Sequence, residues 1–197
     1  MKKHTAHPGP PVTSTGAGST RHTVAHHVRF DPTDIFAALN AARVQYLVVG
    51  GIAAIYHGVP RTTFDVDLAV RLEVDNLTRL DHALRQRGFE TRIPASVTDL
   101  ADPRTRRAWT TRKAMKVFSY IERQAPFRVV DIMVRPLPQF QHLYRRRVEA
   151  RYAGVTIPLV PVKTLIQMKV QAGRPEDQRD VAFLRRVIEL ARRNIRR

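Results

Sequence analysis

From Asp31 onward the spacing of apolar positions changes period several times, and each change marks an element. Ile35, Phe36, Leu39 and Ala42 recur at helical spacing behind Asp31, Pro32 and Asp34, which predicts a helix capped by Asp31 with Pro32 in its first turn. Tyr46 to Val49 is a continuous apolar run, a short strand that ends at Gly50-Gly51; Ile52 to His57 then reads as a short helix closed by Gly58 and Pro60. Phe64 to Val70 alternates apolar and acidic residues at period two, a strand with one polar face. Asp75 is expected to cap a helix through Arg87, with Leu77, Leu80 and Leu84 inward and Gly88 past its end.

Lys116 to Ile121 and Phe127 to Val134 read as two strands of an antiparallel hairpin around a short polar turn. After them the pattern predicts a helix over Pro138 to Val148, a strand over Tyr152 to Leu159, a helix over Val162 to Gln171 and another from Pro175 to the C-terminus. Gly173 and Pro175 mark the break between the last two. Strands mixed with helices, including a hairpin, give an α/β (α+β) fold: a mixed β-sheet core with helices, followed by a short C-terminal helical segment. The expected division is a tail over 1–27, a core over 28–160 and the helical segment over 161–197.

Composition changes this picture in three places. Residues 1–27 are rich in Pro, Gly, Ser, Thr and His without apolar periodicity, so a solvated, disordered tail is expected; His4, His7, His22, His26 and His27 are too irregularly spaced to specify a metal site. Cysteine is absent, which excludes disulfides and thiolate chemistry and leaves metals to carboxylate or imidazole. Thirty-four Lys and Arg against seventeen Asp and Glu give a net charge of +17, which suits a polyanionic partner and equally suits a solubilising surface. No apolar h-region follows the first lysines, and no apolar run approaches the roughly 18 residues of a membrane span, so the expected location is the cytoplasm, with no membrane partner.

The chemistry concentrates around two segments. A strand running into Gly50-Gly51 and then a helix exposes backbone N–H groups to an anion, the arrangement of a phosphate seat. Asp65-Val66-Asp67 follows on a strand, where alternation puts both carboxylates on one face about 6 to 7 Å apart. Both can reach one divalent cation, although an acidic, solvated strand face has the same pattern. Asp131 stands alone in the apolar strand Val129 to Val134, where an unpaired charge is costly and a metal would relieve it.

A Gly-Gly turn, a gap of about a dozen residues, an Asp-x-Asp strand and a third Asp on another strand resemble the polymerase-β-like nucleotidyltransferase superfamily. Gly50-Gly51-Ile-Ala, His57-Gly58-Val-Pro-Arg61, Thr63-Phe-Asp65-Val-Asp67, Leu165-Ile-Gln-Met-Lys169 and Ala172-Gly173-Arg174-Pro-Glu-Asp177-Gln-Arg-Asp180 are similar to the minimal bacterial branch with AbiEii-type, type IV toxin-antitoxin enzymes. The resemblance spans residues 44 to 185 or so. It implies that Asp65, Asp67 and Asp131 are catalytic and hold two Mg²⁺ ions, or Mn²⁺, and that an NTP donates its NMP group to an acceptor hydroxyl. It implies phosphate contacts from Gly50 and Gly51, where many relatives place a serine at the second position. Arg61 and Lys169 become nucleotide-binding candidates; Arg61 also reads as a surface charge, and Lys169 as a partner of Asp177 or Asp180. His57 reads as a packed or capping residue rather than an acid or base.

For the acceptor, the resemblance points to tRNA or other RNA, with a cognate toxin or antitoxin protein as the rival. The cluster Arg104, Arg106, Arg107, Arg112, Lys113 and Lys116, with Trp109 among them, suits an RNA backbone and a stacked base; Arg145 to Arg147 form a second cluster. A solvated arginine-rich loop around a core tryptophan fits equally. A non-catalytic binding module keeping the fold is the remaining alternative.

Overall fold

The computed structural model describes residues 31–195, so the expected tail with its five histidines lies outside the described residues. The elements, in chain order, are α1 (Thr33–Ala41), β1 (Tyr46–Val48), α2 (Gly50–Tyr56), β2 (Asp65–Val70), α3 (Val74–Gln86) and β3 (Phe89–Thr91). A 3-10 turn (Val97–Ala101) and α4 (Pro103–Arg112) follow, then β4 (Val117–Glu122), β5 (Val129–Met133), α5 (Phe140–Arg145), β6 (Val148–Tyr152), β7 (Val155–Leu159), α6 (Val162–Ala172) and α7 (Pro175–Ile195).

All seven strands form one mixed sheet in the order β3-β4-β5-β2-β1-β7-β6. β2 runs parallel to β5 and β1 parallel to β7, while the remaining neighbours are antiparallel. Ile35, Phe36 and Leu39 of α1 and Leu77, Leu80 and Leu84 of α3 are fully buried and join Tyr46, Leu47, Val66, Leu68, Val130 and Ile132 of the strands in one core. Each such side chain contributes roughly 1.5–3 kcal/mol by leaving water. Leu165 of α6 and Leu184 of α7 belong to the same core cluster, which fastens the C-terminal helices to the sheet. No helix among the described residues is long and apolar enough to cross a membrane.

One buried amide ties α3 to the sheet. Asn76 accepts from the Gln45 amide at 2.8 Å and donates to the carbonyls of Gln45 at 3.0 Å and Arg71 at 2.9 Å. These bonds satisfy backbone groups where β1 begins and β2 ends, and Asn76 is 2% exposed.

Several boundaries differ from the sequence reading, each for a local reason. α1 starts after Pro32, although Asp31 still accepts from the Thr33 amide at 2.9 Å. α2 begins at Gly50 itself, two residues earlier than expected, and α3 begins at Val74, with Asp75 in its first turn. The helix expected over Pro138 to Val148 is limited to α5, because the chain turns into an unpredicted edge strand, β6. β6 and β7 join through Ala153-Gly154, both at positive φ (47° and 78°), a two-residue hairpin whose twist matches the strands. The arginine-rich stretch after residue 103 is helix rather than loop: the Asp102 carboxylate accepts from the Arg104 and Thr105 amides, and Pro103 occupies the first turn.

Candidate active site

The parallel pairing of β2 with β5 sets Asp67 directly beside Asp131 and Asp65 beside Val129. Alternation along β2 sends Val66 and Leu68 into the core and turns Asp65 and Asp67 to the opposite face. On β5, Val130 and Ile132 are likewise buried, leaving Asp131 facing the same way as its neighbours. One oxygen from each carboxylate lies within 4.8 Å of the others. The three aspartates picked out from sequence therefore form a single cluster at the middle of the sheet.

One hydroxyl orients this cluster and a second lies beside it. Thr63 donates to Asp65 Oδ1 at 2.5 Å, and Ser119 stands opposite Asp131 on β4. Asp131 Oδ1 is buried and has no hydrogen-bond partner among the described residues. Burial, then the charges of Asp65 and Asp131, push the Asp67 carboxyl up to about 6 despite a backbone bond from Gly51. Asp131 is also pushed up, first by burial, with the neighbouring Ser119 hydroxyl opposing and the Asp65 charge adding to the rise. A protein that crowds like charges and orphans one buried oxygen has an arrangement that a hard cation relieves, and the donors are all oxygen. The cluster fits a divalent metal ion.

The glycine pair is explained partly by the cluster itself. Gly50 sits at φ 61°, and a Cβ there would lie 1.8 Å from Asp67 Oδ2; a Cβ at Gly51 would lie 2.5 Å from Thr63 Oγ1. Bare backbone is needed at both positions before any ligand arrives. Gly50, Gly51 and the three aspartates floor a cleft of about 450 Å³, within the usual range of small-ligand sites. Another hollow of about 470 Å³, near Tyr46, Tyr144 and Thr156, is shallower and holds a single acid, so size alone does not locate the site.

The far wall of the cleft comes from α6 and α7. Lys169, 4% exposed, donates to Asp177 at 2.9 Å and lies 2.8 Å from Asp180. Arg61 Nη1 reaches Asp180 at 2.7 Å, and Arg174 Nε donates to Asp177 at 2.7 Å. Burial pushes Asp177 up, but the bonds from Lys169 and Arg174 outweigh it and hold this carboxyl below its ordinary value. Arg61 and Lys169 thus both line the cleft, and both are engaged in one ion network that joins the loop before β2 to the last helix.

Of the remaining sequence candidates, Lys116 reaches the cleft and the others lie away from it. Trp109 is 8% exposed and stacks on Phe118 with ring centroids 5.8 Å apart, so its face is used in the core and is not available to a base. Arg106 points inward to the Leu100 and Ala101 carbonyls, while Arg104, Arg107, Arg112 and Lys113 stay exposed and Lys116 reaches the cleft wall. Arg147 lies over the Tyr144 ring at 4.7 Å and pairs with Glu149, leaving Arg145 and Arg146 exposed. His57 Nε2 donates to the Val160 carbonyl at 2.8 Å, and burial lowers its pKa, so it serves packing. No sequence signal set Ser119 or Arg174 apart; Ser119 becomes visible only once β4 is registered against β5.

No protein-family model matches the chain, and no curated protein matches it by sequence. Solved structures do match. The lincomycin-bound lincosamide antibiotic adenylyltransferase LnuA has a TM-score of 0.52 and 14% identity, over 80% of this chain and 98% of that one. The antibiotic-resistance factor ANT(2'')-Ia, solved in solution, has a TM-score of 0.50 and 13% identity, over 83% of this chain and 88% of that one. At such identities the likeness is one of fold. The chain has the nucleotidyltransferase fold, an α/β architecture with a mixed seven-stranded sheet and a closing C-terminal helix.

Proposed function

We propose that the protein is a metal-dependent nucleotidyltransferase that moves an NMP group from an NTP to an acceptor hydroxyl. The observation that carries this reading is the convergence of Asp65, Asp67 and Asp131 around a buried, unpartnered oxygen at the floor of a ligand-sized cleft. Asp65 and Asp67 would hold two Mg²⁺ ions, or Mn²⁺, and Asp131 one of them. When bound, such ions supply Lewis-acid charge neutralisation on the phosphates and on the reacting oxygens.

The chain's own groups account for the rest. Gly50 and Gly51 allow close approach of the phosphates, with Arg61 and Lys169 supplying positive potential from the opposite wall. Thr63 holds the Asp65 carboxylate by its hydrogen bond, and Ser119 stands beside Asp131 across the β4–β5 pairing. Asp131, with Oδ1 free of any internal bond, is the group placed to draw the proton from the acceptor hydroxyl. That oxygen then bonds to the α-phosphorus, the α–β bridging bond breaks, and pyrophosphate leaves.

For the acceptor, the reading is RNA, with a tRNA end suggested by the similarity to AbiEii-type toxins. Support comes from the +17 charge and from the exposed cations Arg104, Arg107, Arg112 and Lys113, which lead along the chain to Lys116 at the cleft. A small hydroxylated molecule is a second reading, favoured by the shared fold with a lincosamide adenylyltransferase. A partner toxin or antitoxin protein is the third class to assay. The test is incubation with each labelled NTP, Mg²⁺ and RNA, protein or antibiotic acceptors, comparing the wild type with Asp67→Ala. Label on RNA that needs both Mg²⁺ and Asp67 is the expected result. Absence of metal-dependent transfer to every acceptor would overturn the enzymatic reading, and RNA binding indifferent to Asp67→Ala would favour a binding module.

A further inference from the structure

The cleft holds an imbalance that metal ions alone do not resolve. Its floor carries three carboxylates, and a nucleoside triphosphate brings more negative charge to the same space. A fixed cation must meet the outer phosphates, and four basic side chains line the cleft: Arg61, Lys116, Lys169 and Arg174.

Their commitments differ. Lys169 has a side chain 5% exposed and neutralises Asp177 and Asp180, whose side chains are 1% and 7% exposed. Turning its ammonium to a phosphate would leave two buried carboxylates short of a partner, a costly exchange. Arg61 is 28% exposed and spends Nη1 on Asp180 and Nε on the Thr62 carbonyl. Lys116 is exposed and without an ion pair among the described residues, so ordering it on a ligand costs the full freedom of a long side chain.

Arg174 combines an anchor with two open amino groups, where Arg61 keeps one and is less exposed. Nε donates to Asp177 Oδ2 at 2.7 Å, and Asp177 is itself locked by Lys169. The side chain is 63% exposed, and among the described residues neither terminal nitrogen bonds a protein group. Backbone geometry aims it: Gly173, at φ 65°, ends α6 and Pro175 opens α7, fixing the residue between them. Its charge is felt by Asp67 across the cleft. A guanidinium held at Nε keeps its two remaining amino groups as a preorganised fork for paired phosphate oxygens.

We infer that Arg174 grips the terminal phosphates of the bound nucleoside triphosphate, a binding residue for the outer end of the substrate. The inference rests on the nucleotidyl-transfer reading, and it assigns to Arg174 the direct phosphate contact that Lys169, fully committed inside the protein, does not make.

The experiment is calorimetric titration of the full chain with ATP and, separately, AMP, both in Mg²⁺. It compares wild type, Arg174→Ala, Arg174→Lys and Arg185→Ala, an exposed arginine of α7 that does not line the cleft. Arg174→Ala is expected to weaken ATP about 10- to 100-fold, the loss of charge-assisted bonds to a phosphate, while AMP affinity changes by less than about 3-fold. Arg174→Lys is expected to recover part of the loss. Arg185→Ala should bind both ligands as the wild type does, and all variants should melt within a few degrees of it. ATP affinity unchanged in Arg174→Ala, equal losses for ATP and AMP, or the same loss in Arg185→Ala would each overturn the assignment. A wild type that binds no triphosphate removes the transfer reading and this inference together; a wild type that binds while Arg174→Ala binds equally removes only Arg174.

Discussion

Replacing Asp67 by asparagine should make the metal-free protein more stable at neutral pH while abolishing its response to Mg²⁺. The Asp67 carboxyl is pushed up to about 6 from an ordinary 3.8, first by burial and then by Asp65 and Asp131. Its native pKa exceeds its unfolded one, so between these values the folded chain binds more protons and stability falls as pH rises. The contribution is intact below about pH 4 and is lost by about pH 7. A gap of roughly two units corresponds to about 3 kcal/mol at most, and water in the cleft and coupling to the other carboxylates reduce this to about 1–3 kcal/mol. Removing the charge should raise the melting temperature in EDTA at pH 7.5 by about 2–4 °C per kcal/mol for a domain of this size. At pH 4 the variant should show no such gain, because the wild-type carboxyl is already largely protonated there. Adding Mg²⁺ should raise the wild-type melting temperature with the logarithm of its concentration and leave the variant flat. Scanning calorimetry over pH 4–8, with and without Mg²⁺, reads all four conditions. A variant less stable than wild type in EDTA at pH 7.5, or an equal Mg²⁺ shift in both proteins, would refute the account of a crowded carboxylate cluster waiting for an ion.

Gly50→Ala should cost about 2–4 kcal/mol and lower metal affinity, since left-handed backbone and the contact with Asp67 Oδ2 both oppose a methyl group; urea unfolding and Mg²⁺ titration measure the two effects. Lys169→Met should destabilise by about 3–5 kcal/mol by leaving Asp177 and Asp180 buried without their shared partner, whereas an effect below about 1 kcal/mol in urea would show the network to be dispensable. Asn76→Ala should lose about 2–4 kcal/mol without altering Mg²⁺ affinity, because the Gln45 amide and the Arg71 carbonyl lose their partner and the Gln45 carbonyl loses one of two, at the end of β2 opposite Asp65.

The strands that carry the carboxylate cluster were legible because their signals are local and redundant. Asp65-Val66-Asp67 shows its period directly, and Val129 to Val134 is apolar except for Asp131. What could not be read was register: only the pairing of β2 with β5 brings Asp131 beside Asp67, and only β4 against β5 brings Ser119 to Asp131. The β6–β7 hairpin escaped because its turn uses Ala153 at positive φ where Asn or Asp would announce it, and because Leu143 and Tyr144 continue a helical pattern up to the turn. α4 was legible and passed over: Asp102-Pro103 is the same start as Asp31-Pro32, hidden by a run of arginines that resembles a loop. Trp109 shows the limit of composition, for its basic surroundings along the chain say nothing of the Phe118 ring it meets in space. The pairing of Lys169 with an acid of the last helix was one of two readings open in the sequence, and its near-complete burial depends on α7 folding back over α6, which no local pattern around Met168-Lys169-Val170 announces.

The parallel junction of β2 and β5 has a consequence for the folding chain. Because neighbouring side chains on a strand face opposite ways, a slip of one residue would bury Asp131 and turn Val130 or Ile132 outward to the cleft. A misregistered chain can therefore be compact and helical yet lack the third carboxylate of the cluster. A divalent ion that required all three carboxylates would act as a proofreader, stabilising only those molecules whose two central strands, sixty-four positions apart from Asp67 to Asp131, have met in the right alignment.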